Sequence, residues 1–191
     1  MTMTWLAFGL SLFGACLLTL GRSWRWRLGG LALQYLGLFW LVQPHWSWNT
    51  AAVVLISGWM TTVVLAITLA STTMPTIERG AWSEGRVFRF LITLLVVLVS
   101  FALALRVAPW LRIGLPAAWG GLLLGGTGLL LLGLSQRELE IVLGLLTMLI
   151  GFETLYANLE ASILVVALLT FISLGMALAA AYLLSLPPQE A

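Results

Sequence analysis

Apolar runs of about twenty residues recur along the whole length of this 191-residue chain. A helix rising about 1.5 Å per residue needs roughly twenty such residues to cross a hydrocarbon layer about 30 Å thick. Inside that layer only the chain itself can satisfy a backbone N–H or C=O, so each run must be helical. Charge is correspondingly scarce: 8% of residues are charged and 61% are hydrophobic. A soluble domain carries about 25% charged residues. The expected fold is all-α, a polytopic helical membrane protein.

Seven transmembrane helices are expected, over 3–21, 28–42, 50–71, 88–105, 116–134, 138–157 and 161–186. The second is short, and the last is long enough to tilt. Residues 1–115 read as an N-terminal four-helix membrane region, 116–187 as a three-helix unit and 188–191 as a short tail. The start "MTMTWLAFGLSLFGACLLTL" has no basic stretch and reads as a retained first span. Every basic residue is Arg and every acidic one is Glu. Arg22, Arg25, Arg27, Arg79, Arg86, Arg89 and Arg137 fall in alternate connections, Arg106 and Arg112 in the others. Positive charge favours the cytoplasmic side, which puts the N-terminus outside and the C-terminus inside. Trp46, Trp48, Trp110 and Trp119 then gather at the outer boundary and Trp24, Trp26 and Trp82 at the inner one, as interfacial aromatics do.

Several function classes are excluded. A net charge of +2 is too small to suggest nucleic acid. His45 and Cys16, far apart, cannot supply a haem, zinc or iron–sulfur site, so no cofactor or metal is expected. His45, between Pro44 and Trp46, reads as an interfacial loop residue. The glycine-rich "GGLLLGGTGLLLLG" lacks the lysine of a phosphate loop. Its Gly121, Gly125 and Gly128 share one helix face, where small residues let helices pack closely. No connection reaches twenty residues, too little for a soluble catalytic core, so the chain is not expected to be an enzyme by itself. In the longest one, "TIERGAWSEGRVFRF" reads either as a short amphipathic helix on the inner surface or as a solvated loop anchored by Trp82 and Arg86.

The remaining chemistry lies with acids and small polar groups. Glu138 and Glu140 follow Arg137 in a cytoplasmic turn and complement the dipole of the sixth helix. Glu160, in the turn before the last span, reads as solvated. Glu153 stands fifteen residues into the sixth span, roughly 22 Å along it. A carboxylate inside a bilayer costs a few kcal/mol unless it is protonated, paired or wetted. It is either a group that takes up and releases protons or one near enough to the outer interface to reach water. On a helical wheel Gly144, Thr147, Gly151 and Asn158 form a small-residue stripe. Glu153 stands about 180° from Gly144, with Leu146, Tyr156 and Glu160 on its side. The sixth helix is therefore expected to pack through its glycines and to turn its carboxylate toward a water path or another subunit.

The stretch "RELEIVLGLLTMLIGFETLYANLEASILVV" resembles the second transmembrane helix of the K subunit of respiratory complex I and of the C subunit of Mrp-type cation/proton antiporters. "MLIGFE" carries the match, with Glu153 in the place of a buried glutamate tied to proton transfer and Arg137 in the preceding turn. The whole chain is similar to membrane component E of hydrogenase-4-type complexes, through "RLGGLALQYLGLFWLV" with Gln34, "SGWMTTVVLAI" and "GLLLLGLSQRELEIVLG". It departs from that pattern where Thr62 replaces an intramembrane Lys and where the last span has no acid. In some relatives the acid stands about one turn nearer the Arg turn, here near 147–150. The resemblance implies a multi-pass protein of the cell inner (plasma) membrane, in contact with membrane lipid. It would be a subunit of a multi-protein complex beside larger antiporter-like membrane subunits, with no nucleic acid partner. Glu153, Tyr156, Asn158, Glu160, Gln34 and Thr62 would contribute to or border a proton or cation path. Two alternatives stay open: a structural or assembly subunit without its own ion path, and a small independent transporter. The latter would show paired polar residues near the midplane, and few are evident along the sequence.

Overall fold

The structure is a computed structural model that describes residues 2–21, 23–44, 46–71, 82–135, 137–160 and 162–185, with the backbone alone for 2 and 82–86. His45, Arg22, Arg79 and the tail at 188–191 lie outside the described residues. Seven helices run α1 (Thr2–Leu20), α2 (Trp24–Val42), α3 (Trp48–Ser71), α4 (Trp82–Leu111), α5 (Leu115–Leu134), α6 (Glu138–Ala157) and α7 (Ile163–Ser185). There is no strand among the described residues. Six of these helices are long and apolar enough to cross a membrane. The exception is α2, whose Arg25 and Arg27 open its first turn and lower its hydropathy. It is nonetheless wrapped by α1, α3 and α6.

The ends of the helices follow local chemistry. Pro116 enters α5 in its first turn, where its missing N–H is not needed. α4 runs through Pro109, and Arg112 then takes a left-handed φ of 57°. The Arg112 N–H donates to the Pro109 carbonyl and the Ile113 N–H to that of Ala108, which closes the helix. α4 begins earlier than the span expected at 88. Of the segment read as a surface helix or loop, 76–81 lie outside the described residues and 82–90 belong to the continuous α4.

The chain is built from two like three-helix units in tandem. α1 ends at Leu20 and α5 at Leu134; α2 begins at Trp24 and α6 at Glu138; α3 ends at Ser71 and α7 at Ser185. Each pair is 114 positions apart (20 to 134, 24 to 138, 71 to 185). The packing repeats at the same offset. A Cβ added to Gly14 would stand 2.7 Å from the carbonyl oxygen of Gly30, and one added to Gly128 would stand 2.6 Å from that of Gly144. Gly37 lies against Ala7 and Ser11 as Gly151 lies against Gly121 and Gly125. These glycines let α1 meet α2, and α5 meet α6, backbone to backbone.

Within each unit the middle helix lies between the other two, and the units stack in the same order, α1 on α5, α2 on α6 and α3 on α7. α4, the connection between them, packs on α5 and the edge of α1. The three-helix unit expected over 116–187 is thus α5–α7, and the N-terminal region contains its counterpart plus α4. The units meet face to back. Gln34 and Leu31 of α2 are fully buried, whereas their counterparts in α6, Met148 and Leu145, are about two-fifths exposed.

The glycine contacts make a direct prediction. Gly128→Ala should lower stability in detergent by about 1–3 kcal/mol through overpacking against α6. Gly175→Ala meets open space and should be neutral or stabilising by up to about 1 kcal/mol, the helix propensity gained. Thermal unfolding of the purified variants checks both, and equal effects at the two positions would contradict the packing described.

Candidate functional site

Buried polar side chains collect along the line where α2 meets α6. At the end that carries the helix N-termini, Arg27 Nη1 donates to Glu140 Oε1 at 2.5 Å. Arg27 Nε also donates to the Gly21 carbonyl at 3.1 Å, and the Ser135 hydroxyl donates to Glu140 Oε2. Both charged groups are buried. Two turns further on, the Thr147 hydroxyl donates to Gln34 Oε1 at 3.1 Å. Both pairs span 113 positions, so a step of seven residues on α2 matches a step of seven on α6. Two helices that keep register over two turns run parallel, and 27, 34 on one face 140, 147 on the other. Gln34 also lies over Gly14, so a residue of α2 passes the bare backbone of α1 on its way to α6.

Glu153 sits beyond Thr147 on α6 and is 3% exposed. The hydroxyl of Tyr35, itself 1% exposed, lies within electrostatic range of this carboxylate and beside Ser173 of α7. The Ser173 hydroxyl donates to the Leu169 carbonyl. Glu153 Oε2 has no hydrogen-bond partner among the described residues. Gly58 of α3 determines where Tyr35 stands, because a Cβ there would collide with the tyrosine ring. α6 and α2 thus bring an acid and a phenol into range of one another in the buried interior, Ser173 of α7 lies beside the phenol, and Gly58 of α3 makes room for it. A buried carboxylate with an oxygen free of partners can hold a proton.

The structure redistributes the other expected site residues. Thr62 is buried, and its hydroxyl donates to the Gly58 carbonyl at 2.9 Å within its own helix. Tyr156 is half-buried and stacks with Phe152 at 6.1 Å. Asn158 caps α6, its Nδ2 donating to the Thr154 carbonyl at 2.7 Å. Glu160 is exposed. Of the path candidates only Gln34 joins the α2–α6 line; Glu153 stands about 120° around α6 from Thr147 and lies in range of Tyr35 instead. Arg137 and Glu138 are exposed as expected of a surface turn, and Glu140 lies in the first turn of α6 as expected, where it is also the buried partner of Arg27. Glu153 stands opposite the glycines that meet α5, and because it is buried within this chain its carboxylate does not face another subunit. Leu146, on its side of the wheel, is fully buried as well. Gly121, Gly128, Gly144 and Gly151 do pack α5 on α6, whereas Gly125 contributes its backbone to Gly151 and has open space at its own Cβ position.

Arg27, Tyr35, Ser135 and Ser173 were not among the residues expected from sequence. The signal for one of them was present. Arg27, Leu31, Gln34 and Leu38 recur at helical spacing and form one buried stripe on α2, which places an arginine in line with a glutamine. No protein-family model, curated protein or solved structure matches the chain.

Removing one partner of a buried ion pair leaves an uncompensated charge. Arg27→Ala should therefore destabilise the protein by up to about 3 kcal/mol, and Arg27→Met with Glu140→Leu should recover most of the loss. A thermal double-mutant cycle measures this, and additive losses would show that the two groups do not interact.

Proposed function

We propose that this chain is an integral membrane subunit of a complex-I-like, hydrogenase-4-like or Mrp-like assembly, and that Glu153 borders the path of a translocated proton or cation. The observation that carries this reading is a carboxylate 3% exposed in an apolar bundle, with an oxygen left without a partner and the Tyr35 phenol within electrostatic range. Nothing about packing asks for an ionisable group there, and such groups within spans serve ion paths far more often than architecture. The resemblance of "MLIGFE" to the K-subunit helix points the same way. Redox chemistry would lie with partner subunits in the inner membrane, since no metal-binding group of His, Cys, Asp and Glu occurs among the described residues. The larger antiporter-like partners would dock on apolar faces such as that of α4, most of which is exposed.

A second reading has its own support. Parallel repeats with polar residues gathered where they meet are the architecture of several self-contained carriers, and here the Gln34–Thr147 pair and Glu153 stand between the two units. In that reading the chain transports an ion without partners.

Glu153→Gln keeps size and hydrogen-bonding capacity and removes the ionisable group. Ion transport in native membranes should fall about tenfold or more, while partners still copurify after mild detergent extraction. Wild-type transport would reject the role given to Glu153. Transport by the purified chain alone in vesicles would favour the self-contained carrier over the subunit.

A further inference from the structure

The contact between the two units has an open end on either side. Unit α1–α3 turns one face, its front, to the back of unit α5–α7. The units share one architecture, so α5–α7 has a front of its own and α1–α3 a back. A contact between identical surfaces closes on itself, whereas a front-to-back contact can be repeated. The front of α2 is the buried stripe Arg27, Leu31, Gln34 and Leu38. Its counterpart on α6, 114 positions on, is Ile141, Leu145, Met148 and Phe152, of which the last three are exposed. α3, which packs on α7 and α2, buries Val54, Gly58, Thr61, Leu65 and Leu69. Their counterparts on α7 are Leu168, Ile172, Gly175, Ala179 and Leu183, all exposed. α5 carries α4, so the open part of this front is α6 with α7.

Two differences between the units point to what fits there. The first is polarity. Within the chain Arg27 meets Glu140 and Gln34 meets Thr147. Carried one unit further, the same register sets Ile141 against Trp26 and Met148 against Leu33 of a following copy. Each polar pair has become apolar on both sides at once, so no polar group would be buried unpaired. The second is size. α7, whose main neighbour is α3, has a single buried stripe with the small Ser173 and Ala177 at its centre. The larger residues, Thr61 and Leu65, are on the α3 side. At the free ends the sizes are reversed. The front of α7 has Gly175 and Ala179, and the positions of α3 equivalent to 173 and 177 hold the exposed Trp59 and Val63. A Cβ added to Gly175 would meet nothing within 4 Å, so a hollow lies open there. The Trp59 indole donates to the Ala32 carbonyl at 3.4 Å, which holds the ring in place. Fluid acyl chains fit any apolar outline and impose neither match.

We propose that the exposed face of α6 and α7 docks the outer face of α2 and α3 of a second copy of this chain, repeating between molecules the stacking that joins the units within one. Both copies keep the same orientation in the membrane, because α2 and α6 run parallel. The outward face of α4 stays open to other partners. The inference stands on the tandem repeat and not on the ion path.

The test uses two differently tagged forms of the full chain, coexpressed in native membranes in a Cys16→Ser background. One carries Leu33→Cys and the other Met148→Cys, and a short bifunctional thiol reagent is added. Each chain then has a single cysteine, so every product joins two chains. The expected product is a mixed dimer with both tags, in greater yield than a control that pairs Met148→Cys with Leu98→Cys on the exposed face of α4. Gly175→Leu supplies the second arm. Its side chain meets open space within one chain but fills the place of the second copy's Trp59 or Val63. It should lower the mixed dimer about tenfold without lowering the thermal stability of the chain in detergent. Bridging only of like positions, 33 with 33 or 148 with 148, would show face-to-face assembly and overturn the stack. A mixed dimer no more abundant than the control, or one indifferent to Gly175→Leu, would overturn it too. So would capture by Met148→Cys of a different protein in place of a second copy.

Discussion

Polar groups inside a bilayer have nowhere to turn but to one another. That constraint organises this structure. Many polar side chains of the spans bond to their own helix, a few cross to a neighbouring helix, and two pairs meet across α2 and α6. Thr19, Thr62, Thr154 and Ser173 take the first course, each donating to a carbonyl of its own helix. Arg27 with Glu140 and Gln34 with Thr147 take the last. Glu153 Oε2 takes none of these, and among the described residues it is the buried carboxylate oxygen left without a partner.

Two devices bring the middle helices to their places. Glycines at equivalent positions allow each unit's first two helices to touch through their backbones, which brings α1 against α2 and α5 against α6 at the same depth. The units then stack in the same order, so that a face of α2 meets the opposite kind of face on α6. Divergence between the units follows from this stacking. Where Arg27 and Gln34 meet the other unit, their counterparts Ile141 and Met148 are turned outward and are apolar. Where Glu140 meets α2, its counterpart Trp26 is 62% exposed. The side-chain pairs between the two units, Arg27 with Glu140 and Gln34 with Thr147, lie on the α2–α6 contact.

Much of this was written legibly. The number of spans follows from hydrophobic length, and the glycine face of α6 from helical periodicity. The position of Glu153 along its helix is a matter of counting. What the sequence read by segments did not disclose was the pairing between distant helices. Glu140 looked like a dipole-complementing acid because its own neighbours are Glu138 and Arg137; its partner lies 113 positions away. That Glu153 faces the interior of this chain and not a neighbouring subunit was hidden for a related reason. A helical wheel tells which residues share a face, but α6 is a central helix with several covered faces, and a wheel cannot say how many. The tandem repeat was visible in principle, since Gly14, Gly30 and Gly37 recur as Gly128, Gly144 and Gly151. It is easily overlooked in a chain so rich in leucine and glycine, because chance matches among such residues are frequent.

The face-to-back stacking of the two units carries everything else, and cysteine cross-linking addresses it most directly. In a Cys16→Ser background, Gln34→Cys with Thr147→Cys should be bridged within one chain by a short bifunctional thiol reagent in native membranes. The counterpart pair, Leu33→Cys with Met148→Cys, should not, because Met148 is turned away from α2. Bridging of 33 with 148 within one chain and not of 34 with 147 would contradict the arrangement, and with it the α2–α6 contact that pairs Arg27 with Glu140.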